Sequence, residues 1–160
     1  MHAGIKGKWI ASQMLCLSDP RRQRTFKAQM RHLAEAVASR NASLVLVNDV
    51  PLLQGDPLDC TPLASRLGSW CPSVCGRSRA ESVAELADAA TTLADLANEF
   101  PRSVYFTDAH DWLCDGDTCG PYIPGGSYTL GWMDANHLNY EGSFALWPLL
   151  ARLFDQHGLA

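Results

Sequence analysis

Residues 43–51 read SLVLVNDVP, and this run sets the fold class. The apolar stretch from Leu44 to Val47 lacks the apolar–polar alternation of a strand with one wet face. It fits a short strand buried on both faces, as in a parallel sheet, and Pro51 ends it. Upstream, residues 20–39 read as a helix. Asp19 suits the N-cap and Pro20 the first helical position. Phe26, Met30, Leu33 and Val37 share one face, and Asn41 suits the exit. Downstream, residues 51–79 form an irregular segment with four prolines, three glycines and three of the chain's six cysteines. A loop of that length in a compact domain is usually functional or cross-linked.

The clearest helix follows at 80–100. Val83, Leu86, Ala90, Leu93, Ala97 and Phe100 form its stripe, Ser78 or Ser82 suits its start, and Pro101 stops it. SVYFTD at 103–108 is a second β-prone run, and residues 109–133 are a second long loop. The last helix is expected at 140–156 with Phe144, Trp147, Leu150, Ala151 and Phe154 buried. Pro148 should kink it or mark a new start. Short apolar strands separated by amphipathic helices imply an α/β fold, a parallel sheet flanked by helices. Sites in such sheets form beyond the carboxyl ends of strands; NDVP follows the first strand, TDAHDW (107–112) the second, and DANHL (134–138) precedes a helix, so the three are expected to meet on one edge. Two strands make a thin sheet. KWIASQMLCL (8–17) is the candidate third, and the chain reads like the later part of a domain whose first strands are missing.

The length of 160 residues fits one domain, and 47% hydrophobic with 19% charged residues is a core-forming balance. A formal net charge of -4 without a basic stripe argues against a nucleic-acid partner. The cluster RRQR at 21–24 reads as a solvated helix face. No apolar run approaches the ~20 residues of a membrane span. The N-terminal apolar stretch is broken by Gln13 and shows no signal-peptide cleavage pattern. The cysteines pull the other way. Cys16, Cys60, Cys71, Cys75, Cys114 and Cys119 are many for a cytosolic domain. Six cysteines leave 15 full pairings open. CDGDTC (114–119) is the best local candidate, since Gly116 relaxes the turn.

MDANHLNYEG at 133–142 carries the chemistry. Asp134 stands three residues before His137 at the mouth of a helix. A serine-type hydrolase needs an imidazole held in one tautomer by a carboxylate, with the other nitrogen facing a nucleophile. Spacing alone favours a helix cap beside an ordinary polar histidine. Cys71, Cys75, Cys114, Cys119, His110 and His137 include zinc-ligand types, yet structural zinc sites use tighter Cys-x2-Cys pairs. Asp115–Asp117 lacks the later acidic ligand of a calcium loop. His2, His32 and His157 read as solvated. Trp112 and Trp132 either line a sugar-facing groove or anchor their loops on the core.

YTLGWMDANHLNYEGSFAL (128–146) resembles the last block of SGNH hydrolases. More narrowly, it resembles the SGNH-type domains fused to bacterial membrane acyltransferases that O-acetylate cell-surface polysaccharides. Asp134, His137, Leu138, Asn139, Gly142 and Ser143 carry the pattern. FTDAHDWLCDGDTCGPY (106–122) resembles the preceding strand and cysteine-bounded loop, and LVLVNDVPLLQGDPLDC (44–60) an earlier strand. The resemblance covers roughly residues 25–155. It implies a three-layer, flavodoxin-like α/β domain, a Cys114–Cys119 pair, and a periplasmic or other extracytoplasmic location. It also implies a polysaccharide or acyl-ester substrate and a membrane acyltransferase domain as partner in the parent protein. His137 would be the general base and Asp134 its orienting carboxylate. No metal or organic cofactor is implied.

The chain departs from that family in one respect: no Gly-Asp-Ser occurs in it. Ser69, Ser127 and Ser143 follow glycines but no predicted first strand, and Asn48 reads as a strand edge rather than an oxyanion donor. The expectation is a single truncated SGNH-type domain over residues 1–160, weak or inactive alone. The rival readings are a non-catalytic carbohydrate-binding or accessory module and a disulfide- or zinc-stabilised structural domain.

Overall fold

The computed structural model describes residues 19–61, 76–125 and 129–159. The elements in chain order are α1 (Pro20–Ala38), β1 (Leu44–Val47), a 3-10 turn (Pro57–Cys60), β2 (Arg77–Ser78) and α2 (Arg79–Glu99). They continue with β3 (Val104–Thr107), α3 (His110–Leu113), β4 (Cys114–Asp115), β5 (Thr118–Cys119) and α4 (Tyr140–Gln156). The described residues fall into two compact units. One runs to Asn48 and adds Glu85–Thr107; the other holds Asp49–Ala84 and Asp108 onward. The third strand expected at 8–17 lies outside the described residues.

In the first unit β1 and β3 pair in parallel, Leu44 opposite Val104 and Val47 opposite Thr107. Asn48 extends the ladder by donating its N–H to Thr107 O at 3.0 Å, so it is a strand edge as the sequence suggested. Asp19 caps α1, accepting from Arg21 N–H at 2.8 Å, with Pro20 in the first turn. The core is Ala34, Leu46, Leu93 and Val104, packed by Phe26, Met30, Leu44, Ala97, Phe100 and Phe106. Lys27–Asp95 and Arg31–Glu99 ion pairs join the exposed sides of α1 and α2.

Two expectations change here. Leu33 is exposed, because Ala34 occupies the contact and turns α1 by one residue. The strand 44–47 is not buried on both faces. Leu44 and Leu46 enter the helix-packed core, whereas Val47, on the other face, is 39% exposed. The fold is α/β, with a two-stranded parallel sheet among the described residues.

The second unit centres on Leu53, Ala109, Leu113 and Trp132, packed by Val50, Trp112, Ala135, Leu138 and Leu146. A small antiparallel sheet, β2–β5–β4, lies in it. Cys114 and Cys119 face each other across the β4–β5 pair and are disulfide-bonded. Gly116, with φ of 57°, begins the two-residue turn between them, a conformation that glycine adopts without strain. Cys60 is also disulfide-bonded. Among the described residues no helix is long and apolar enough to cross a membrane.

Helix α4 runs from Tyr140 through Pro148 to Gln156 without a new start. Its expected buried face is corrected: Phe144 is 62% and Trp147 58% exposed. The reason is Gly142, the one buried residue of this helix. A β-carbon there would meet Gly131 O at 2.0 Å. That backbone contact fixes the rotation of the helix and presents Leu146, one turn on, to the core.

Candidate active site

The site is the loop between two bridged residues, Trp132 and Leu138. Met133 N–H donates to His137 O at 2.8 Å and closes it. Asp134 lies inside this loop. Its Oδ1 accepts from the N–H of Asn136 and of His137, both at 2.9 Å. The carboxylate also receives the His137 ring, Nδ1 lying 3.0 Å from Oδ1 and 2.9 Å from Oδ2. One carboxylate therefore shapes the turn and holds the imidazole.

Burial, the largest influence on Asp134, works to raise its pKa. The Asn136 N–H, the His137 imidazole and the His137 N–H together outweigh it, and hold the carboxyl below its ordinary 3.8. Asp134 thus stays ionised at neutral pH. With Nδ1–H donated to it, the neutral ring carries its lone pair on Nε2. The side chains of His137 and Asp134 are 61% and 49% exposed, and Nε2 has no partner among the described residues. The arrangement can accept a proton from a hydroxyl brought to Nε2.

Asn139 secures the loop from behind. Its Oδ1 accepts from Gly142 N–H at 2.9 Å and caps α4. Its Nδ2 donates to Leu130 O at 2.8 Å, and its own N–H to Gly131 O at 3.0 Å. The sequence marked Asn139 only as a polar position in the pattern. Its double role depends on Leu130 and Gly131, which spacing does not reveal.

The other candidate residues fall elsewhere. Trp132 is 1% exposed and anchors its loop in the core, and the half-buried Trp112 packs on the same core. The disulfide removes Cys114 and Cys119 from any thiolate zinc set. Cys16, Cys71, Cys75, Ser69 and Ser127 lie outside the described residues. Ser143 is exposed on the first turn of α4, and no serine hydroxyl bonds His137 among the described residues.

A serine does meet a histidine elsewhere in this unit. His110 Nδ1 lies 2.7 Å from Asp108 Oδ1, and its Nε2 lies 2.9 Å from Ser82 Oγ. This chain has the connectivity of a catalytic triad. His110 is 0% and Ser82 1% exposed, so no substrate reaches them. Sequence reading missed it because Ser82 and His110 are 28 residues apart; the Asp-x-His spacing was the one local signal.

No curated protein and no solved structure matches the chain. A family profile does, over residues 6–152, and its description is the SGNH domain fused to AT3 domains. That span contains the Asp134–His137 loop, its Asn139–Gly142 support and the cysteine-bounded hairpin, so the chain belongs to this SGNH domain family.

Proposed function

We propose that the chain serves serine-type O-acyl transfer or ester hydrolysis on O-acyl groups of a cell-surface polysaccharide. The observation that carries this reading is the His137 ring held by Asp134 with its Nε2 open to solvent. Family membership supports an acyltransferase-associated, esterase-like module. In the proposed step a serine hydroxyl attacks the acyl carbonyl and gives its proton to His137 Nε2. The tetrahedral intermediate then collapses, and the imidazolium returns that proton to the departing alcohol. Asp134 remains ionised and stabilises the imidazolium. Acceptor sugar or water resolves the acyl-serine by the same route in reverse.

No Gly-Asp-Ser occurs in the sequence. The chain is therefore read as supplying base and carboxylate, with little turnover alone. The finer fold proposal is a three-layer domain with the parallel sheet between helices. The extracytoplasmic face is the proposed location, and the Cys114–Cys119 disulfide supports it. A membrane acyltransferase domain is the proposed partner. The test is hydrolysis of p-nitrophenyl acetate by the chain alone and after fusion to a Gly-Asp-Ser-bearing first segment of an SGNH domain. Turnover should appear in the fusion and vanish in its His137→Ala variant. Turnover indifferent to His137 overturns the assignment, and robust turnover by the chain alone points to a serine of its own.

One observation favours a second reading, a non-catalytic carbohydrate-binding module. Tyr140, Phe144 and Trp147 are exposed along α4, directly after His137. Such a module would bind oligosaccharide equally well with His137→Ala.

A further inference from the structure

We propose that Ser82, His110 and Asp108 form an inner relay that positions the Asp134–His137 pair, with His110 as the positioning residue. This rests on reading Asp134 and His137 as the working pair.

The inner relay runs inward from Asp108, whose side chain is 23% exposed, to the buried His110 and Ser82. Asp108 Oδ1 accepts from both the N–H and the Nδ1–H of His110, at 3.0 and 2.7 Å. His110 Nε2 is then an acceptor, and the Ser82 hydroxyl donates to it at 2.9 Å. Buried polar groups are retained at little cost when every member is satisfied, and removing one leaves its neighbour stranded. The chain thus defines one orientation of the imidazole and, through it, of the short helix α3.

It joins two segments that other contacts join at their edges. Arg79 N–H donates to Asp117 O at 2.8 Å, Arg79 pairs with Asp111, and β2 pairs with β5. Those contacts tie the start of α2 to the cysteine hairpin and, through Asp111, to the exposed side of α3. Ser82–His110 is the buried tie between the same helix and α3.

The connection to the outer pair runs through side chains flanking each histidine. Ala109 and Leu113, on either side of His110, are buried in the same cluster as Trp132, Ala135 and Leu138. Ala135 follows Asp134 and Leu138 follows His137, so the loop that bends the carboxylate around its imidazole rests on α3. Leu53 N–H pins that loop at Ala135 O, at 2.8 Å. A shift of α3 displaces Ala135 and Leu138 and misaligns the Asn136 and His137 N–H groups with Asp134. His110 itself is enclosed and touches no substrate.

The test uses the full chain and reads geometry instead of turnover, so its failure is separate from failure of the proposed activity. In the unmodified chain, long-range nitrogen NMR should show His110 as the Nδ1–H tautomer with Nε2 accepting. In Ser82→Ala the Asp134 carboxyl carbon should titrate at a higher pH than in the parent chain. Exchange protection of the Asn136 and His137 amides should fall about tenfold, as for one lost buried hydrogen bond. Ser82→Thr, which keeps the hydroxyl, should restore both. Leu93→Ala, in the core of the other unit, should lower the melting temperature and leave Asp134 unmoved. The proposal is overturned by a different His110 tautomer in the parent chain. It is also overturned if Ser82→Ala lowers stability with Asp134 and both amides unchanged, or if Ser82→Thr rescues nothing.

Discussion

Gly142 and Gly131 meet backbone to backbone: a β-carbon on Gly142 would stand 2.0 Å from Gly131 O and 2.8 Å from its carbonyl carbon. The obstructing atoms are main chain and cannot swing aside as a side chain does. Gly142→Ala should therefore push α4 away from the loop ahead of His137, with a loss of about 3 kcal/mol, the upper range for overpacking. Urea unfolding measures it as a lower midpoint. A midpoint equal to the parent's would mean that the helix does not approach Gly131.

Asn139 divides its side chain between two tasks, and two substitutions separate them. Asn139→Ala removes the cap of α4 and strands Leu130 O, for a combined loss of about 2 kcal/mol. Asn139→Asp keeps an oxygen for Gly142 N–H and loses the donor to Leu130 O. It should recover roughly half of that loss. Thermal melts of the three proteins give the order Asn, Asp, Ala; an Asp variant no better than Ala would deny the cap.

The rotation of α4 gives a sharper contrast. Phe144 projects into solvent, and Phe144→Ser should change stability by less than about 0.5 kcal/mol. Leu146 packs on the core of its unit, and Leu146→Ala should cost about 2 kcal/mol, the lower end for a core leucine because it is half-buried. The apolar pattern read from sequence predicts the reverse ranking, so denaturant midpoints for this pair decide between them.

What sequence could and could not show follows from range. The Asp19 cap on Arg21 N–H, the Cys114–Cys119 bond and the Asp134–His137 contact are local, each complete within a few residues, and all three form. The rotation of α4 was illegible because it is set by Gly131, eleven positions upstream and without a side chain. An apolar stripe containing Phe144 and Trp147 outweighs a single glycine in any hydrophobic pattern. The exposure of Leu33 has a related cause, since Ala34 packs closer than its size suggests. The Ser82–His110 bond joins residues on different elements, and nothing local in either segment announces the other.

Across the β4–β5 pair the disulfide closes a loop of six residues, counting both cysteines. The chain-entropy relation gives about 2 kcal/mol for a loop that short. Cys114→Ser with Cys119→Ser should lower stability by about that amount, seen as a lower urea midpoint. The hairpin also pairs with β2, so amide exchange at Arg77 and Ser78 should quicken in the same variant. Unchanged exchange there would show that the turn at Gly116 holds the hairpin without the bridge.

Asp134 couples the His137 loop to pH. Its folded pKa lies below the ordinary 3.8, so the ionised carboxylate is favoured by folding. The sign follows from linkage: the stabilisation is present in full above the unfolded value and is lost as pH falls through the lower folded one. Acidification through the region below 3.8 should therefore loosen the loop, with no effect from this group between pH 5 and 8. The Asn136 and His137 amides report it directly, because both donate to the carboxylate. Their exchange protection should drop in step with titration of the Asp134 carboxyl carbon. In Asp134→Asn the acid-dependent component should disappear, since an amide does not titrate in this range. The Nδ1–H of His137 should then face a neutral oxygen and lose much of its charge-assisted strength. Amide protection that falls in acid equally with Asn at this position would assign the transition to another carboxylate.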